Sequence, residues 1–225
     1  MTELTSDTLP GGGLKITQSP SGYRYSMDAM AIADFANLSP NDRVLDLGAG
    51  CGIISLLLAA RYPGVTIYGV ELLIEQVDLG RQNITGNGMK DRVTLFHQDI
   101  RTVSPAHTAG PVDVVISNPP HIKKASGRKN PNPEVAIARH EIHVTLKDII
   151  DAAERMLRPT GRLMMVYPAG RMPELIDCMR KSKIEPKTLT VVYTRPNLPA
   201  RRILIEGVKG GRPGMTITQP RIVQP

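Results

Sequence analysis

An Asn-Pro-Pro-His turn is the part of the sequence best suited to chemistry on a planar amino group. The residues Asn118-Pro119-Pro120-His121 directly follow an apolar run, 112–117, that predicts a buried strand. An adenine or carboxamide nitrogen is a poor nucleophile because its lone pair is delocalised into the attached π-system. The Asn118 side-chain oxygen and the Pro119 carbonyl can accept both N–H hydrogens and aim the lone pair at a methyl donor. Proline restricts φ and would hold that carbonyl in place.

A glycine-rich turn after an earlier predicted strand forms a candidate cofactor site. Strand 43–47 contains Asp46 and runs into Gly48-Ala49-Gly50-Cys51-Gly52, and Glu71 ends the next strand. Glycines allow a close ligand approach, and an acidic residue at the second strand end can bind ribose hydroxyls. A dinucleotide-binding protein is the competing interpretation, but its fingerprint is G-x-G-x-x-G, whereas the spacing here is G-x-G-x-G. Asp46 would repel pyrophosphate but suits the sulfonium and ammonium groups of S-adenosylmethionine.

Class I methyltransferases have a first motif that resembles Val44-Leu45-Asp46-Leu47-Gly48-Ala49-Gly50-Cys51-Gly52, and the resemblance covers most of the chain. It implies that the turn binds S-adenosylmethionine, which leaves as S-adenosylhomocysteine, with Asn118 bordering the same site. It also implies that Glu71 binds the ribose and Asp99 the adenine amino group. Leu72 and Ile100 match the positions that sandwich the adenine ring.

Two further stretches resemble one branch of this family, the bacterial methyltransferases that act on adenine N6 beside the anticodon of a valine tRNA. They are His121-Ile122-Lys123-Lys124-Ala125-Ser126-Gly127-Arg128-Lys129-Asn130-Pro131-Asn132-Pro133 with Ala138-Arg139-His140-Glu141, and Gln18-Ser19-Pro20-Ser21-Gly22-Tyr23-Arg24-Tyr25-Ser26-Met27-Asp28-Ala29. The second stretch implies an N-terminal segment, 14–42, that helps to cover the cofactor, and Tyr23 within it is a candidate substrate contact. Independently, a basic loop beside a base-sized pocket suits a flipped-out nucleotide and its flanking phosphates. The candidate contacts in that loop are Lys123, Lys124, Arg128 and Lys129.

His121 departs from the pattern of the amino-methyltransferase family, so other functions remain possible. That family usually has Tyr, Phe or Trp at this position, which stacks on the flipped target, and imidazole stacks less strongly. The main hypothesis is an RNA adenine-N6 methyltransferase that acts on tRNA. A protein-glutamine N5-methyltransferase is one alternative, because a glutamine amide offers the same planar nitrogen, although the basic charge argues against it. A non-catalytic protein that binds S-adenosylmethionine or RNA is another, and DNA adenine and other nucleobases are further targets.

Predicted strands alternate with predicted helices, which is typical of a parallel sheet with helices on both faces. The last two strands flank Pro196-Asn197-Leu198-Pro199 and predict an antiparallel hairpin. The pattern indicates an α/β fold with a doubly wound, seven-stranded, mostly parallel sheet and a C-terminal hairpin, as in Rossmann-like class I methyltransferases. The predicted strands are 43–47, 65–70, 93–97, 112–117, 163–167, 187–195 and 201–208, and the predicted helices are 52–61, 75–87, 134–157 and 174–183.

The composition favours a cytoplasmic protein with polyanionic partners. The chain has 225 residues and a formal net charge of +7, and a basic surplus favours phosphate contacts. Residues 1–13 are polar and Gly-rich, so they predict a disordered tail rather than a signal peptide, and residues 14–225 predict a single domain. The longest apolar run, 53–60, is too short to span a bilayer. Two cysteines without a pairing motif indicate free thiols in a reducing compartment, and the proposed chemistry needs no metal.

Overall fold

Val, Ile and Leu dominate the strands of the central sheet, as expected where both faces of a strand are buried. The computed structural model of the chain describes residues 5–9, 13–18, 27–119 and 144–223. The strands are β1 (Thr5–Thr8), β2 (Lys15–Gln18), β3 (Arg43–Leu47), β4 (Thr66–Glu71), β5 (Val93–His97), β6 (Val112–Ser117), β7 (Leu157–Pro168), β8 (Ile184–Tyr193), β9 (Arg202–Lys209), β10 (Thr216–Ile217) and β11 (Arg221–Ile222). The α-helices are α1 (Met27–Phe35), α2 (Ile53–Arg61), α3 (Ile74–Gly86), α4 (Leu146–Met156) and α5 (Met172–Lys181).

The central sheet has the strand order β10-β8-β9-β7-β6-β3-β4-β5, and β11 also pairs with β8. The strands from β3 to β7 pair in parallel, whereas β9 is antiparallel to both β7 and β8. The predicted mostly parallel sheet with a C-terminal antiparallel hairpin is confirmed, and its seven predicted strands correspond to β3–β9; the short strands β10 and β11 were not predicted and bring the described sheet to nine strands. Sequence order reverses between β3 and β6, because β4 and β5 extend to one side and β6 begins the other. In open α/β sheets, ligands bind at such a switch point, outside the carboxyl ends of the strands.

Two apolar cores cover the two faces of the sheet. Successive strand residues point to opposite faces. Val44 and Val114 therefore join the core that packs against α1, α2 and α3, whereas Leu45 and Val115 join the core that packs against α4 and α5. No helix in the described ranges is both long and apolar enough to cross a membrane.

The N-terminal residues form a hairpin, where a disordered tail was predicted. β1 pairs antiparallel with β2, and Thr8 lies opposite Lys15. Leu9 N donates to Leu14 O at 2.9 Å, and both leucine side chains are buried. The prediction of a disordered tail is therefore wrong for β1. It was based on the polar, Gly-rich composition and took no account of Leu9 and Leu14, which anchor the hairpin in the core.

Helix α4 begins later than its apolar pattern predicted. The predicted helix spanned 134–157, but Val144 and Thr145 are not helical, and residues 134–143 lie outside the described ranges. Thr145 is the N-cap: its hydroxyl oxygen accepts from Asp148 N at 3.2 Å, and the Asp148 carboxylate accepts from Thr145 N at 2.9 Å. This capping box sets the first turn of the helix. The apolar repeat of the sequence runs through this capping box, so the repeat by itself did not show where the helix begins.

After β9 the chain returns along the open edge of β8. β10 and β11 pair with β8 in parallel. Thr218 N donates to Leu189 O and Val223 N donates to Tyr193 O, both at 2.8 Å. An edge strand otherwise presents unpaired N–H and C=O groups. Residues 210–223 thus form an ordered strap over this edge.

A glycine in the middle of β4 is required by close packing. A Cβ built on Gly69 would lie 2.1 Å from Leu95 Cδ2 and 2.9 Å from Ala49 Cβ, and both side chains are buried. We expect Gly69→Ala to lower the free energy of unfolding by about 1–3 kcal/mol, because overpacked side chains must shift. Thermal unfolding checks this against Gly86→Ala at the end of α3, where a Cβ meets nothing within 4 Å. Equal melting temperatures for the two variants would contradict the packing argument.

Candidate active site

The chain leaves β3 in a turn that favours glycine. Gly48, Gly50 and Gly52 have φ angles of 75°, 54° and 83°, in the left-handed region that is strained for residues with a Cβ. The N–H groups of Gly48 and Ala49 both donate to Val70 O, at 2.9 and 3.0 Å, which fastens the turn to the end of β4. A Cβ built on Gly48 or Gly50 would meet nothing within 4 Å. The turn is therefore held by β4 and borders open space.

Glu71, predicted to act with this turn, is held against it. Glu71 Oε2 accepts from Gly50 N at 2.9 Å, and Oε1 accepts from Leu72 N and Leu73 N at 2.8 and 2.9 Å. Three backbone donors fix the position of the carboxylate at the end of β4. A carboxylate has about four acceptor sites, so capacity remains for a ligand.

Asp46 is a fully buried carboxylate with one hydrogen-bonded oxygen. Its Oδ2 accepts from Ser55 Oγ at 2.8 Å, and its Oδ1 has no partner among the described residues. Burial raises the pKa of Asp46 to about 7, assisted by the charge of Glu71 and opposed by the hydrogen bonds to Ser55. Such a carboxylate is unfavourable unless a cation or donor completes it. This role of Ser55 was not predicted, although Ser55 is the only polar residue in the apolar run 53–60.

The third predicted motif follows β5. Arg101 engages Asp99, since its backbone N–H donates to Oδ1 at 2.9 Å and its guanidinium pairs with both carboxylate oxygens. His97 Nε2 lies 2.9 Å from Leu72 O, and Ile100 is buried. The predicted adenine-binding residues thus lie at the ends of the adjacent strands β4 and β5, and the contact of Arg101 with Asp99 was not predicted.

The acceptor turn begins beside the glycine turn. Leu47 of β3 pairs with Ser117 of β6, and the buried Ser117 hydroxyl donates to Leu47 O at 2.8 Å. Gly48 and Asn118 each follow directly after this pair, on strands roughly 4.8 Å apart. Asn118 is half-buried and Pro119 is buried.

The remaining predicted site residues lie outside the described ranges, and their roles stay predictions. They are Tyr23, Pro120, His121, Lys123, Lys124, Arg128 and Lys129. Among the residues that are described, no group of three or more His, Cys, Asp or Glu side chains could hold a metal ion.

Asn83 of α3 connects the glycine turn to the N-terminal hairpin, a role that the sequence analysis missed. Its Nδ2 donates to Cys51 O and Thr17 O, both at 3.1 Å, and its Oδ1 accepts from Thr17 N at 2.8 Å. Asn87 binds the backbone of Lys15 in the same way. Two asparagines four residues apart share one helix face, and that spacing is the sign that could have identified them.

The order of these features defines the class of protein. A glycine turn follows β3, a fixed carboxylate ends β4, a second carboxylate follows β5 and an Asn-Pro turn follows β6, in a sheet that ends in an antiparallel hairpin. This arrangement is that of S-adenosylmethionine-dependent methyltransferases. Residues 29–181 match the family described as Methyltransferase small domain, and the chain belongs to that family.

Curated relatives and solved structures agree with this assignment. A protein from Aeromonas hydrophila named tRNA1(Val) (adenine(37)-N6)-methyltransferase is 30% identical over 184 residues, which cover 81% of this chain and 75% of the relative. A protein of the same name from Porphyromonas gingivalis is 30% identical over 197 residues, which cover 85% and 76%. The crystal structure of a predicted O-methyltransferase from Agrobacterium tumefaciens has a TM-score of 0.69 at 23% identity, over 87% of each chain. That structural likeness shows the shared fold.

Asn83 of α3 and Asn87, which caps the end of this helix, form a matched pair for an exchange experiment. We expect Asn83→Ala to increase hydrogen–deuterium exchange in both 13–18 and 48–52, because the Cys51 carbonyl and the β2 backbone lose their partner. Asn87→Ala should increase exchange in 13–18 only. Mass spectrometry of peptic fragments measures both. Unchanged exchange in 48–52 of Asn83→Ala would show that the turn is held without this side chain.

Proposed function

We propose that this methyltransferase transfers the methyl group of S-adenosylmethionine to the exocyclic N6 of an adenine in RNA, and that the RNA is a tRNA. The observation that carries the proposal is that the glycine turn and the Asn-Pro turn begin at paired residues of β3 and β6. Donor and acceptor sites that begin side by side favour direct transfer between two bound molecules. The names of the curated relatives support adenine N6 and tRNA.

The residues around the glycine turn fit S-adenosylmethionine. Open space beside Gly48 and Gly50 lets a ligand approach the backbone closely. The Asp46 carboxylate would balance the positive charge of the methionine part, and Glu71 would accept hydrogen bonds from the ribose. The bound cofactor supplies an electrophilic methyl group on a sulfonium. The proposed cofactor-binding residues are Asp46, Gly48, Ala49, Gly50, Gly52, Glu71, Leu72, Asp99, Ile100 and Asn118.

Asn118 and Pro119 are the proposed acceptor-binding residues of the described chain. The Asn118 amide oxygen and the Pro119 carbonyl accept the two hydrogens of the amino group, so the nitrogen lone pair points out of the base plane. The N–C bond forms as the C–S bond breaks, and one amino hydrogen leaves as a proton. Because Pro119 is buried and Ser117 is bonded to β3, the turn starts from a fixed position. Such acceptors need little reorganisation during transfer.

Charge supports an RNA acceptor over a protein acceptor. The formal net charge is +7, which favours a polyanion. Methylation of a glutamine amide is the alternative, and the charge gives it no support. An RNA acceptor of this kind would place the protein in the cytoplasm.

The proposal is tested by transfer from labelled S-adenosylmethionine to separately supplied tRNA, ribosomal RNA and protein, all from a strain that lacks the gene. We expect label in tRNA that nuclease removes and that is recovered as N6-methyladenosine. Label that resists nuclease but is removed by protease would overturn the RNA acceptor. Absence of label in all three would contradict the proposal that the protein catalyses methyl transfer.

Asn118 should affect the methyl-transfer step more than cofactor binding. We expect Asn118→Ala to lower kcat on tRNA by about 10²–10³-fold, as for loss of a preorganised polar group at a reacting centre. Its dissociation constant for S-adenosylmethionine, measured by calorimetry, should change much less. Asn37→Ala, at an exposed position after α1, is the control. Equal kcat values for the two variants would remove Asn118 from the acceptor site.

Asp46 should lower the stability of the protein while supporting cofactor binding. Its pKa of about 7 lies above the ordinary value of 3.8, so the folded state holds the proton more tightly and stability falls as the pH rises from about 4 to about 7. Asp46→Asn cannot ionise. We expect this variant to be more stable than the wild type at pH 8, by up to about 4 kcal/mol, and equally stable at pH 4. It should also bind S-adenosylmethionine at least about tenfold more weakly.

Urea unfolding at the two pH values and calorimetric titration with S-adenosylmethionine measure these effects. A variant that is less stable than the wild type at pH 8 would contradict the electrostatic cost. A variant that binds the cofactor normally would remove Asp46 from the cofactor site.

A further inference from the structure

The loop between β8 and β9 is a basic surface that the site described above does not include. This arginine loop, residues 194–201, contains Arg195 and Arg201, both exposed. Positions 186–205 contain no acidic residue. Positive charge is therefore concentrated here without local neutralisation.

Two other arginines near this end of the sheet are paired with carboxylates. Arg202 Nε donates to Asp28 Oδ2 at 2.8 Å, and Arg171 Nη2 donates to Glu174 Oε1 at 2.9 Å. In contrast, the two arginines of the arginine loop form no ion pair within the part of the chain that the structure describes. No carboxylate of the described residues therefore competes with an external anion for their guanidinium groups.

The arginine loop lies at the same end of the sheet as the acceptor turn. Arg202 begins β9 opposite Pro168, the last residue of β7, and Met165 of β7 pairs with Ser117 of β6. At roughly 4.8 Å per strand, β9 and β8 lie about 10–15 Å from β6 across the sheet. Because β7 continues past Met165 to Pro168, the loop also projects beyond the acceptor turn. A chain of nucleotides held at the acceptor turn can reach it.

Both ends of the arginine loop are fixed to the body of the protein. Tyr193 O accepts from Val223 N at 2.8 Å, and Arg201 O accepts from Ala169 N at 3.1 Å. Prolines within the loop restrict φ between these anchors. Binding a ligand there costs less conformational entropy than ordering a free loop.

We propose that the arginine loop binds the phosphate backbone of the RNA on one side of the target nucleotide. This inference rests on the function proposed above. Guanidinium groups suit phosphate because their planar N–H groups can donate two parallel hydrogen bonds. Arg221 adds a third guanidinium at the same end, because it pairs with Val192 near the end of β8. Contacts to flanking phosphates hold the strand while the target base leaves its stack.

The test compares two double variants of the full-length protein. Arg195→Gln/Arg201→Gln removes the charges of the arginine loop. Lys183→Gln/Arg212→Gln also removes two exposed charges, but at the opposite end of β8 and β9, so it is the matched control for net charge. Binding of tRNA at several salt concentrations, KM and kcat for tRNA methylation, and the dissociation constant for S-adenosylmethionine are measured for each.

We expect the arginine-loop variant to raise the dissociation constant and KM for tRNA about tenfold and to reduce the slope of log affinity against log salt by roughly 1.5 to 2. Its kcat and its affinity for S-adenosylmethionine should stay near wild type, which also shows that it folds. The control variant should show a much smaller change in KM and slope.

The outcomes separate this inference from the proposed function. If the wild type methylates tRNA and the two double variants behave alike, the arginine-loop inference fails and the function stands. If the wild type labels no tRNA, the proposed function fails and the inference fails with it. If the wild type labels protein and the arginine-loop variant raises KM for that protein, the loop is a protein-binding surface and the RNA assignment is overturned.

Discussion

The register between β3 and β6 is the constraint on which the rest of the site depends. Leu47 lies opposite Ser117, and the Ser117 hydroxyl fixes that pair by donating to the Leu47 carbonyl at 2.8 Å. A shift of one residue would exchange the faces of every side chain on β6. Val114 and Val115 belong to different cores, so packing on both faces of the sheet opposes such a shift. The interactions that stabilise the fold therefore also set the points at which the glycine turn and the Asn-Pro turn begin.

Two carboxylates at this edge of the sheet are stabilised to different extents. Glu71 accepts hydrogen bonds from three backbone N–H groups, and one of them, from Gly50, adds to the bonds that Gly48 and Ala49 donate to Val70 O in holding the glycine turn to β4. Asp46 has one hydrogen-bonded oxygen, and burial raises its pKa to about 7. A buried, half-satisfied acid is costly, and perturbed acids of this kind cluster at functional sites. A cationic ligand at the glycine turn would stabilise the ionised form of Asp46, which lacks a partner for Oδ1 among the described residues.

Features that depend on sequence neighbours were predictable, and those that depend on distant residues were not. Apolar runs and glycine spacing predicted the seven long strands and the turn after β3. The start of α4 was missed although the Thr145-Leu146-Lys147-Asp148 cap is visible in the sequence, because the apolar repeat continues through the cap. Ser55 reaches Asp46 across 9 residues and Asn83 reaches Cys51 across 32. Such contacts follow from how α2 and α3 pack on the sheet, so a local pattern can mark Ser55 or Asn83 as unusual but cannot give the partner of either.

The direction of β9 decides which basic segments share an end with the site. In the parallel part of the sheet, the loop after each strand lies at the carboxyl end, and helices α2 and α3 return the chain after β3 and β4. After β8 the chain turns at once into antiparallel β9, so residues 194–201 stay at the site end. The chain then returns beside β8 through β10 and β11, which brings Arg221 to that end as well. A net charge of +7 does not by itself define a surface. The terminal hairpin and the strap place Arg195, Arg201 and Arg221 at the end of the sheet where a large acceptor would lie.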